Sequence, residues 1–205
     1  MVKVKICGIT SLEDALTAVA AGADALGFVF HPASPRHISP QQAAEIIKLL
    51  PPFIQTVGLF VNEARDTVNS TADQCGLDVI QLHGEETPGY CDSVRRRVIK
   101  AFRVKDITTL DSLLQYHVSG CLLDAWSPAA HGGTGQTFNW EIAAEAAKRG
   151  HRIVLAGGLT PENVAEAVRR VKPYAVDVSS GVECSPGRKD AGKIIKFIIQ
   201  ARHPA

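Results

Sequence analysis

Short apolar runs recur along the chain at intervals of roughly 20 to 30 residues, and each is followed by a segment with the apolar spacing of a helix. The runs have the length and the Val, Ile and Leu content of strands that are buried on both faces. They lie at 2–6, 25–30, 56–61, 78–83, 98–104, 120–125, 152–158 and 174–181. This repeated strand–helix pattern has no break in composition, so it predicts a single α/β domain over residues 1–205.

The closed and the open arrangement of such a sheet both alternate strands with helices. A dinucleotide-binding open sheet would be expected to carry a GxGxxG loop after its first strand, whereas CGITS follows that strand here. Eight regular units favour a closed (β/α)8 TIM barrel wrapped by helices. In such a barrel the functional groups lie on the loops that leave the carboxyl ends of the strands.

Composition excludes several classes of protein. Hydrophobic residues make up 45% of the 205 positions and charged residues 21%, which is ordinary globular usage. The formal net charge of +1 lacks the basic footprint of a nucleic-acid binder. The apolar runs are too short to span a membrane, and the first residues lack the apolar core of a secretory signal. We therefore expect neither nucleic acid nor membrane as a partner.

Cysteine and histidine spacing argues against a metal site. The five cysteines are scattered without a CxxC pair, and the seven histidines show no HxH or HExxH spacing. We expect no disulfide framework, no metal and a reducing cytoplasmic compartment. Four of the cysteines are interpreted as small buried hydrophobic residues, namely Cys75, Cys91, Cys121 and Cys184.

Cys7 and Asp124 are reactive groups at predicted strand ends. The period of two along the first strand places Lys3, Lys5 and Cys7 on one face, which we expect to line the barrel interior. A cation beside Cys7 would lower the pKa of its thiol below about 8.5. A plain buried cysteine above a salt-bridged lysine fits the pattern equally well. Asp124 is either a loop-ordering group or a general acid in a partly desolvated barrel mouth.

Glycine-rich loops supply candidates for a phosphate site. Gly157 and Gly158 follow the seventh strand, while Ser180 and Gly181 end the eighth, where barrels commonly bind phosphate through backbone N–H groups. Simple turn chemistry is the alternative. The loop around Gly133 suits a phosphate cradle or a lid, and it lacks the Lys-Ser/Thr of a Walker A loop. Arg36 could pair with a carboxylate or phosphate, although an exposed arginine is usually solvated.

Several motifs follow one another along the whole chain. They are KICGIT at 5–10, GFVFHPASPRHIS at 27–39, VGLFVN at 57–62, QLHGEE at 81–86, LLDA at 122–125, GGTGQTFNW at 132–140, AGGLTPENV at 156–164 and DVSSGVE with GRKD at 177–190. Together they resemble the phosphoribosylanthranilate isomerases of tryptophan biosynthesis. Single motifs such as AGGL are common, whereas KICG, SPR, QLHG and GGTG in this order of loops are jointly very specific. Asn139 stands where the family more usually has Asp, and SPAAH lengthens the lead into GGTG.

The resemblance implies a cofactor-free (β/α)8 barrel that rearranges a phosphorylated small molecule. It implies that Cys7 is the general base, that Asp124 is the general acid, and that Arg36 holds the anthranilate carboxylate. The loops with Gly133, Gly157, Gly158, Ser180 and Gly181 would bind the substrate and its phosphate. We expect Lys5, Gln81, His83 and Asp177 to support these groups. The sequence leaves open whether the protein is a monomer or a homodimer.

Three other functions fit parts of the pattern. The related isomerase of histidine biosynthesis performs the same rearrangement on a bisphosphorylated substrate. The resemblance implies that this enzyme uses an aspartate at the end of its first strand, where this chain has Cys7. Indole-glycerol-phosphate synthase would need an N-terminal extension and catalytic lysines that have no counterpart here. A barrel that only binds a phosphorylated metabolite would have no use for both Cys7 and Asp124.

Overall fold

Eight parallel strands close into a barrel in the computed structural model, which describes residues 1–104, 106–124 and 136–204. Each strand pairs with the next in the chain, and β8 pairs with β1. The strands are β1 (Lys3–Cys7), β2 (Ala25–Val29), β3 (Gln55–Phe60), β4 (Val79–Leu82), β5 (Arg97–Arg103), β6 (Gly120–Asp124), β7 (Ile153–Ala156) and β8 (Ala175–Val178). The predicted (β/α)8 barrel is confirmed.

Helices follow the strands and cover the outside of the barrel. They are α1 (Leu12–Ala20), α2 (Pro40–Ile47), α3 (Arg65–Cys75), α4 (Pro88–Asp92), α5 (Thr109–Leu113), α6 (Gln136–Lys148), α7 (Val164–Val171) and α8 (Ala191–Arg202). An antiparallel hairpin of β9 (Glu183–Ser185) and β10 (Arg188–Lys189) lies between β8 and α8. Side-chain oxygens cap four helices by accepting a backbone N–H three residues on, namely those of Ser11, Ser39, Thr87 and Asp190.

Two apolar clusters hold this arrangement together. The larger one fills the layer between strands and helices and includes Val4 and Ile6 of β1. A smaller cluster fills the barrel interior with Ala101, Leu122, Val154, Ala156 and Ala175. The alternation of side chains along each strand separates the two clusters, because successive residues point to opposite faces.

Strands β7 and β8 end two and three residues before their predicted apolar runs do. Strand β7 ends at Ala156 because Gly157 and Gly158 adopt left-handed backbone angles, with φ of 83° and 65°. Strand β8 ends at Val178, and the chain then forms a 3₁₀ turn over Ser180–Val182. Both early endings turn the backbone of a candidate phosphate loop across the barrel mouth.

The cysteines are unpaired, and one of them departs from expectation. Cys75, Cys91 and Cys121 are buried, as predicted, and burial raises the pKa of the Cys91 and Cys121 thiols to about 11. The prediction of a buried Cys184 is wrong, because this residue lies on the β9–β10 hairpin outside the barrel wall.

The described residues contain neither a membrane-spanning helix nor a cluster of metal ligands. No helix there combines the length and the apolar content needed to cross a membrane. No group of three or more His, Cys, Asp and Glu side chains there is placed to hold a metal ion.

Candidate active site

A cavity of about 350 Å³ opens at the carboxyl ends of the strands. It brings together most of the residues selected from the sequence, namely Cys7, Arg36, Gln81, His83, Asp124, Gly157, Gly158, Asp177, Ser180 and Gly181. Lys5 lies one layer deeper in the barrel, and the prediction for Gly133 falls outside the described residues. The cavity is therefore the candidate active site.

The Cys7 thiol points into the barrel, as the alternation along β1 predicts. Cys7 pairs with Gly27 of β2, and a Cβ at Gly27 would lie 2.8 Å from Cys7 Sγ and 3.0 Å from Lys5 Nζ. Since that separation is below any normal Cβ contact, only glycine leaves room for this thiol and ammonium together. Lys5 also forms a buried ion pair of 2.9 Å with Asp177 of β8.

The prediction that Lys5 lowers the pKa of Cys7 below its ordinary value is wrong as a net effect. Burial raises the pKa of the Cys7 thiol, and the Asp177 carboxylate adds to the rise, while Lys5 acts in the opposite direction. The Lys5 ammonium is shared between the thiol and Asp177, which together hold its own pKa above the usual value despite burial. Lys5 therefore limits the rise without reversing it.

Replacing Lys5 should move the pH dependence of activity in a defined direction. A base must be deprotonated to act, so the rate rises with pH through the pKa of Cys7. Lys5→Met removes the cation that favours the thiolate, and the rising limb of kcat/KM should move to higher pH. Lys5→Met/Asp177→Asn also removes the opposing anion, so its limb should lie below that of the single variant. A pH profile unchanged in a folded Lys5→Met protein would contradict this role.

Asp124 ends β6 and faces His83 across the cavity. The two side chains are partly exposed, and His83 Nε2 lies 3.6 Å from Asp124 Oδ2. Gln81 Nε2 lies 3.1 Å from His83 Nδ1, and an amide nitrogen only donates. With the Gln81 amide in this orientation, His83 accepts at Nδ1, and the neutral ring then has its proton on Nε2, the nitrogen nearer to Asp124. Gln81, His83 and Asp124 thus form a row of neighbouring polar groups along the cavity wall.

A buried ion pair that the sequence analysis missed fixes the loop carrying His83. Lys100 Nζ lies 3.1 Å from Glu86 Oε2 and donates to the Gly84 carbonyl at 2.7 Å. Glu86 in turn accepts the backbone N–H of Gly84 at 2.9 Å and that of Asn62 at 2.9 Å. These bonds hold the turn after β4 in one conformation, which limits the positions His83 can take.

The loops after β7 and β8 pack tightly against each other and form a candidate anion cradle. A Cβ at Gly181 would lie 1.9 Å from the Leu159 carbonyl oxygen, so any side chain there would separate the two loops. Within the described part of the chain, the loop hydrogen bonds leave the backbone N–H groups of Gly157, Gly158, Ser180 and Gly181 unused. Converging free N–H groups are the donors that a phosphate group requires.

Arg36 reaches the cavity from the loop after β2, and its partner was missed by the sequence analysis. The Arg36 guanidinium forms a two-point ion pair with Glu183, at 2.8 Å from Nε and 2.7 Å from Nη2. Burial acts to raise the pKa of the Glu183 carboxyl, but hydrogen bonds from Arg36 and Lys189 outweigh it and hold that pKa below its usual range. Arg36 is thus a cation held in place by a carboxyl group whose charged form its neighbours favour.

Comparison with known proteins points to one family. The family described as N-(5'phosphoribosyl)anthranilate (PRA) isomerase matches residues 4–200. The N-(5'-phosphoribosyl)anthranilate isomerase of Trichlorobacter lovleyi is 68% identical over 202 residues, which cover 98% of each chain.

Solved structures of the same kind superpose closely on this chain. The phosphoribosyl anthranilate isomerase of Thermotoga maritima has a TM-score of 0.92 and 48% identity, covering 98% of this chain and 99% of its own. A complex of phosphoribosyl anthranilate isomerase with reduced 1-(o-carboxyphenylamino)-1-deoxyribulose 5-phosphate has a TM-score of 0.89, 45% identity and the same coverage. Mutationally generated monomers of a dimeric Thermotoga maritima enzyme give 0.88 and 44%, with 98% and 99% covered.

Proposed function

The chain belongs to the N-(5'-phosphoribosyl)anthranilate isomerase family, and from this premise we propose that Cys7 is its general base and Asp124 its general acid. The reaction is the rearrangement of N-(5'-phosphoribosyl)anthranilate from an aldose to a ketose derivative in tryptophan biosynthesis. One observation carries the two roles: the Cys7 thiol and the Asp124 carboxyl come from different strands and line one cavity. Such a rearrangement needs a proton donor and a proton acceptor at once.

Asp124 serves the first step. The furanose ring opens when the nitrogen lone pair forms a double bond to C1 and the bond from C1 to the ring oxygen breaks. That oxygen takes up the proton of the Asp124 carboxyl and leaves as a hydroxyl group. A partly exposed carboxyl at the end of β6 can be protonated again from solvent after each cycle.

Cys7 serves the second step. The C2 hydrogen of the resulting iminium ion is acidic, and the Cys7 thiolate removes it while the electron pair shifts toward nitrogen. The enolamine so formed gains a proton at C1 and loses the one on the C2 oxygen, which gives the ketone. Protons alone are transferred, so neither a redox cofactor nor a metal is required by the chemistry.

The two anionic ends of the substrate match two separate sites. The cradle formed by Gly157, Gly158, Ser180 and Gly181 would hold the phosphate. Arg36 would hold the carboxylate of the anthranilate ring through its unused N–H groups. Fixing both ends places the reacting carbons between the acid and the base, and such orientation is a large part of catalysis.

A direct assay tests this function. Freshly prepared phosphoribosylanthranilate should lose its fluorescence when the purified protein is added, and the ketose product should form in equal amount. The bisphosphorylated histidine-pathway substrate should react far more slowly, because the site holds one phosphate cradle and one carboxylate-binding arginine. Binding without turnover would support a non-catalytic barrel and overturn the assignment of acid and base.

We further propose that the protein is a homodimer joined through the amino ends of its barrel strands. Phe53, in the loop before β3, is 93% exposed. It borders a second cavity of about 320 Å³ that opens among Lys3, Gln55, Arg97 and Tyr174, opposite the candidate active site. A twofold interface uses the same surface on both subunits, and this surface carries both a projecting aromatic ring and a cavity. The dimeric Thermotoga maritima relative described above supports the same state.

Phe53→Asp should therefore convert a dimer into a monomer, because it places a charge in an apolar contact. Light scattering coupled to size-exclusion chromatography measures the change, and the isomerase activity should persist because the active cavity lies at the other end. Leu114→Asp, at a residue that is 68% exposed on the end of α5, is the control and should remain dimeric. A monomeric wild-type protein or a dimeric Phe53→Asp variant would contradict the proposed interface.

A further inference from the structure

Glu183 is a buried carboxylate in the hairpin beside the active site, and both of its oxygens are engaged. Its side chain is 5% exposed. Oε1 accepts from Arg36 Nε at 2.8 Å and from Lys189 Nζ at 2.9 Å, and Oε2 accepts from Arg36 Nη2 at 2.7 Å. The two-point contact fixes the plane of the guanidinium, because two parallel N–H···O bonds form only when the guanidinium and the carboxylate are nearly coplanar.

Lys189 ties this ion pair to the strands that carry the site. Its side chain is fully buried, and its ammonium donates to the carbonyl oxygens of Cys7 and Ser179 as well as to Glu183. The carbonyls belong to the ends of β1 and β8, next to the thiol and the phosphate cradle. Lys189 and Glu183 therefore link Arg36 to the backbone of Cys7, and the two side chains are held in a fixed relative position.

The charge of the cluster depends on Lys189. Arg36 and Glu183 alone would be a neutral pair, which would attract an anion weakly. Lys189 lies 2.9 Å from Glu183 and, when protonated, adds a second cation, so that the three side chains then carry one net positive charge. Burial lowers the pKa of the Lys189 ammonium, and the Glu183 carboxylate acts in the opposite direction. Arg36 has five N–H donors, and within the described part of the chain two of them bond to Glu183 while the other three have no protein acceptor. These three N–H groups are available at the cavity wall.

Gly8 provides the space for this arrangement. Its φ is 78°, and a Cβ there would lie 2.6 Å from Arg36 Cδ. The Arg36 side chain therefore crosses directly over the backbone that follows Cys7. This close approach leaves the guanidinium little freedom to turn away from Glu183.

We propose that Glu183 is a positioning residue that, together with Lys189, presents Arg36 to the substrate carboxylate and so selects substrates that carry one. The proposal rests on the function assigned to Arg36 above. Glu183 does not touch the substrate in this account, and its whole effect passes through the guanidinium. Its removal should therefore matter only where both Arg36 and a substrate carboxylate are present.

A double-mutant cycle tests this dependence. Arg36→Met, Glu183→Gln and the combined variant are assayed on phosphoribosylanthranilate and on phosphoribosylaniline, which lacks the carboxylate. Glu183→Gln should reduce kcat/KM on phosphoribosylanthranilate about 10- to 100-fold, mainly through KM, because a misplaced binding group costs that much. Its kcat/KM on phosphoribosylaniline should stay within about threefold of the wild-type value. In the Arg36→Met background, Glu183→Gln should have almost no further effect.

Two further variants test whether the effect of Glu183→Gln comes only from removing a paired charge. Glu183→Gln leaves the buried Lys189 without a counter-charge, so Glu183→Gln/Lys189→Met is measured as well. Lys189 also bonds to the carbonyls of Cys7 and Ser179, so this variant should lose activity on both substrates, with the larger loss still on phosphoribosylanthranilate. Glu162→Gln, in an exposed 3.0 Å pair with Lys196, is the control for neutralising a paired carboxylate and should retain wild-type kinetics. Thermal unfolding of each variant establishes that it is folded.

The outcomes separate this proposal from the function on which it rests. Equal losses on both substrates, or additive effects of Arg36→Met and Glu183→Gln, would overturn the positioning role of Glu183. If Arg36→Met itself reduced activity equally on both substrates, the carboxylate site assigned to Arg36 would be wrong. A loss confined to phosphoribosylanthranilate in both single variants, without further loss in the combined one, supports both statements.

Discussion

Cys7→Ser should reduce kcat by about 10²- to 10⁴-fold, the contribution typical of a general base, while the affinity for substrate stays nearly unchanged. A serine hydroxyl is far less acidic than a thiol, so it supplies almost no anion to remove the C2 proton. The side chains are close in size, and the site is shaped around a small residue opposite Gly27. The measurement is steady-state kinetics on freshly prepared phosphoribosylanthranilate, with binding measured separately by titration of a non-reacting product analogue.

Cys75→Ser is the matched control for this substitution. Cys75 is 3% exposed and Cys7 is 4% exposed, but Cys75 lies in the helical layer on α3. Its replacement should affect stability alone and leave kcat at the wild-type value. Wild-type turnover in the folded Cys7→Ser protein would remove Cys7 from the mechanism.

The barrel and the faces of its strands could be predicted from sequence because they depend on local periodicity. A period of two along β1 is enough to place Lys5 and Cys7 inside and Val4 and Ile6 outside. The rule that barrel function lies at the carboxyl ends of strands then selects Asp124 as well. Neither step needs to know which residues meet across the barrel.

The ion pairs of the site could not be predicted in this way. Arg36 and Glu183 are 147 residues apart, and they meet because the β9–β10 hairpin folds back over the loop after β2. No sequence period records such a contact. The motif SSGVE places Glu183 near the mouth, but a glutamate there fits an exposed loop equally well until its burial is known.

The direction of the Cys7 pKa shift could not be predicted from the sequence for the same reason. The sequence places a lysine beside the thiol, and this contact does lower the pKa. Burial is the largest influence and acts in the opposite direction, and Asp177 arrives from β8 to share the lysine. The net direction is set by burial and by charged groups on two strands, β1 and β8, that lie far apart in the sequence. To predict the pKa of a nucleophile or base, one must therefore know how deeply it is buried as well as which charges lie beside it.

Asp124→Asn should stop the reaction at a different point from Cys7→Ser. An amide cannot give its proton to the ring oxygen, so kcat should fall by about 10²- to 10⁴-fold and the substrate should remain in its closed furanose form. With Cys7→Ser the ring still opens, and the open-chain iminium ion should accumulate. Cyanoborohydride, which reduces iminium ions, should therefore trap a reduced adduct with Cys7→Ser and very little with Asp124→Asn.

Asp92→Asn is the control for this second variant. Asp92 also lies beside a histidine, with 3.9 Å between its Oδ2 and His117 Nδ1, but this pair is on the outer surface. Its replacement should leave both kcat and the trapping pattern of the wild type. Equal trapping in Cys7→Ser and Asp124→Asn would mean that ring opening does not depend on Asp124. The acid would then have to be sought elsewhere on the cavity wall, with His83, 3.6 Å from Asp124, as the nearest group able to donate a proton.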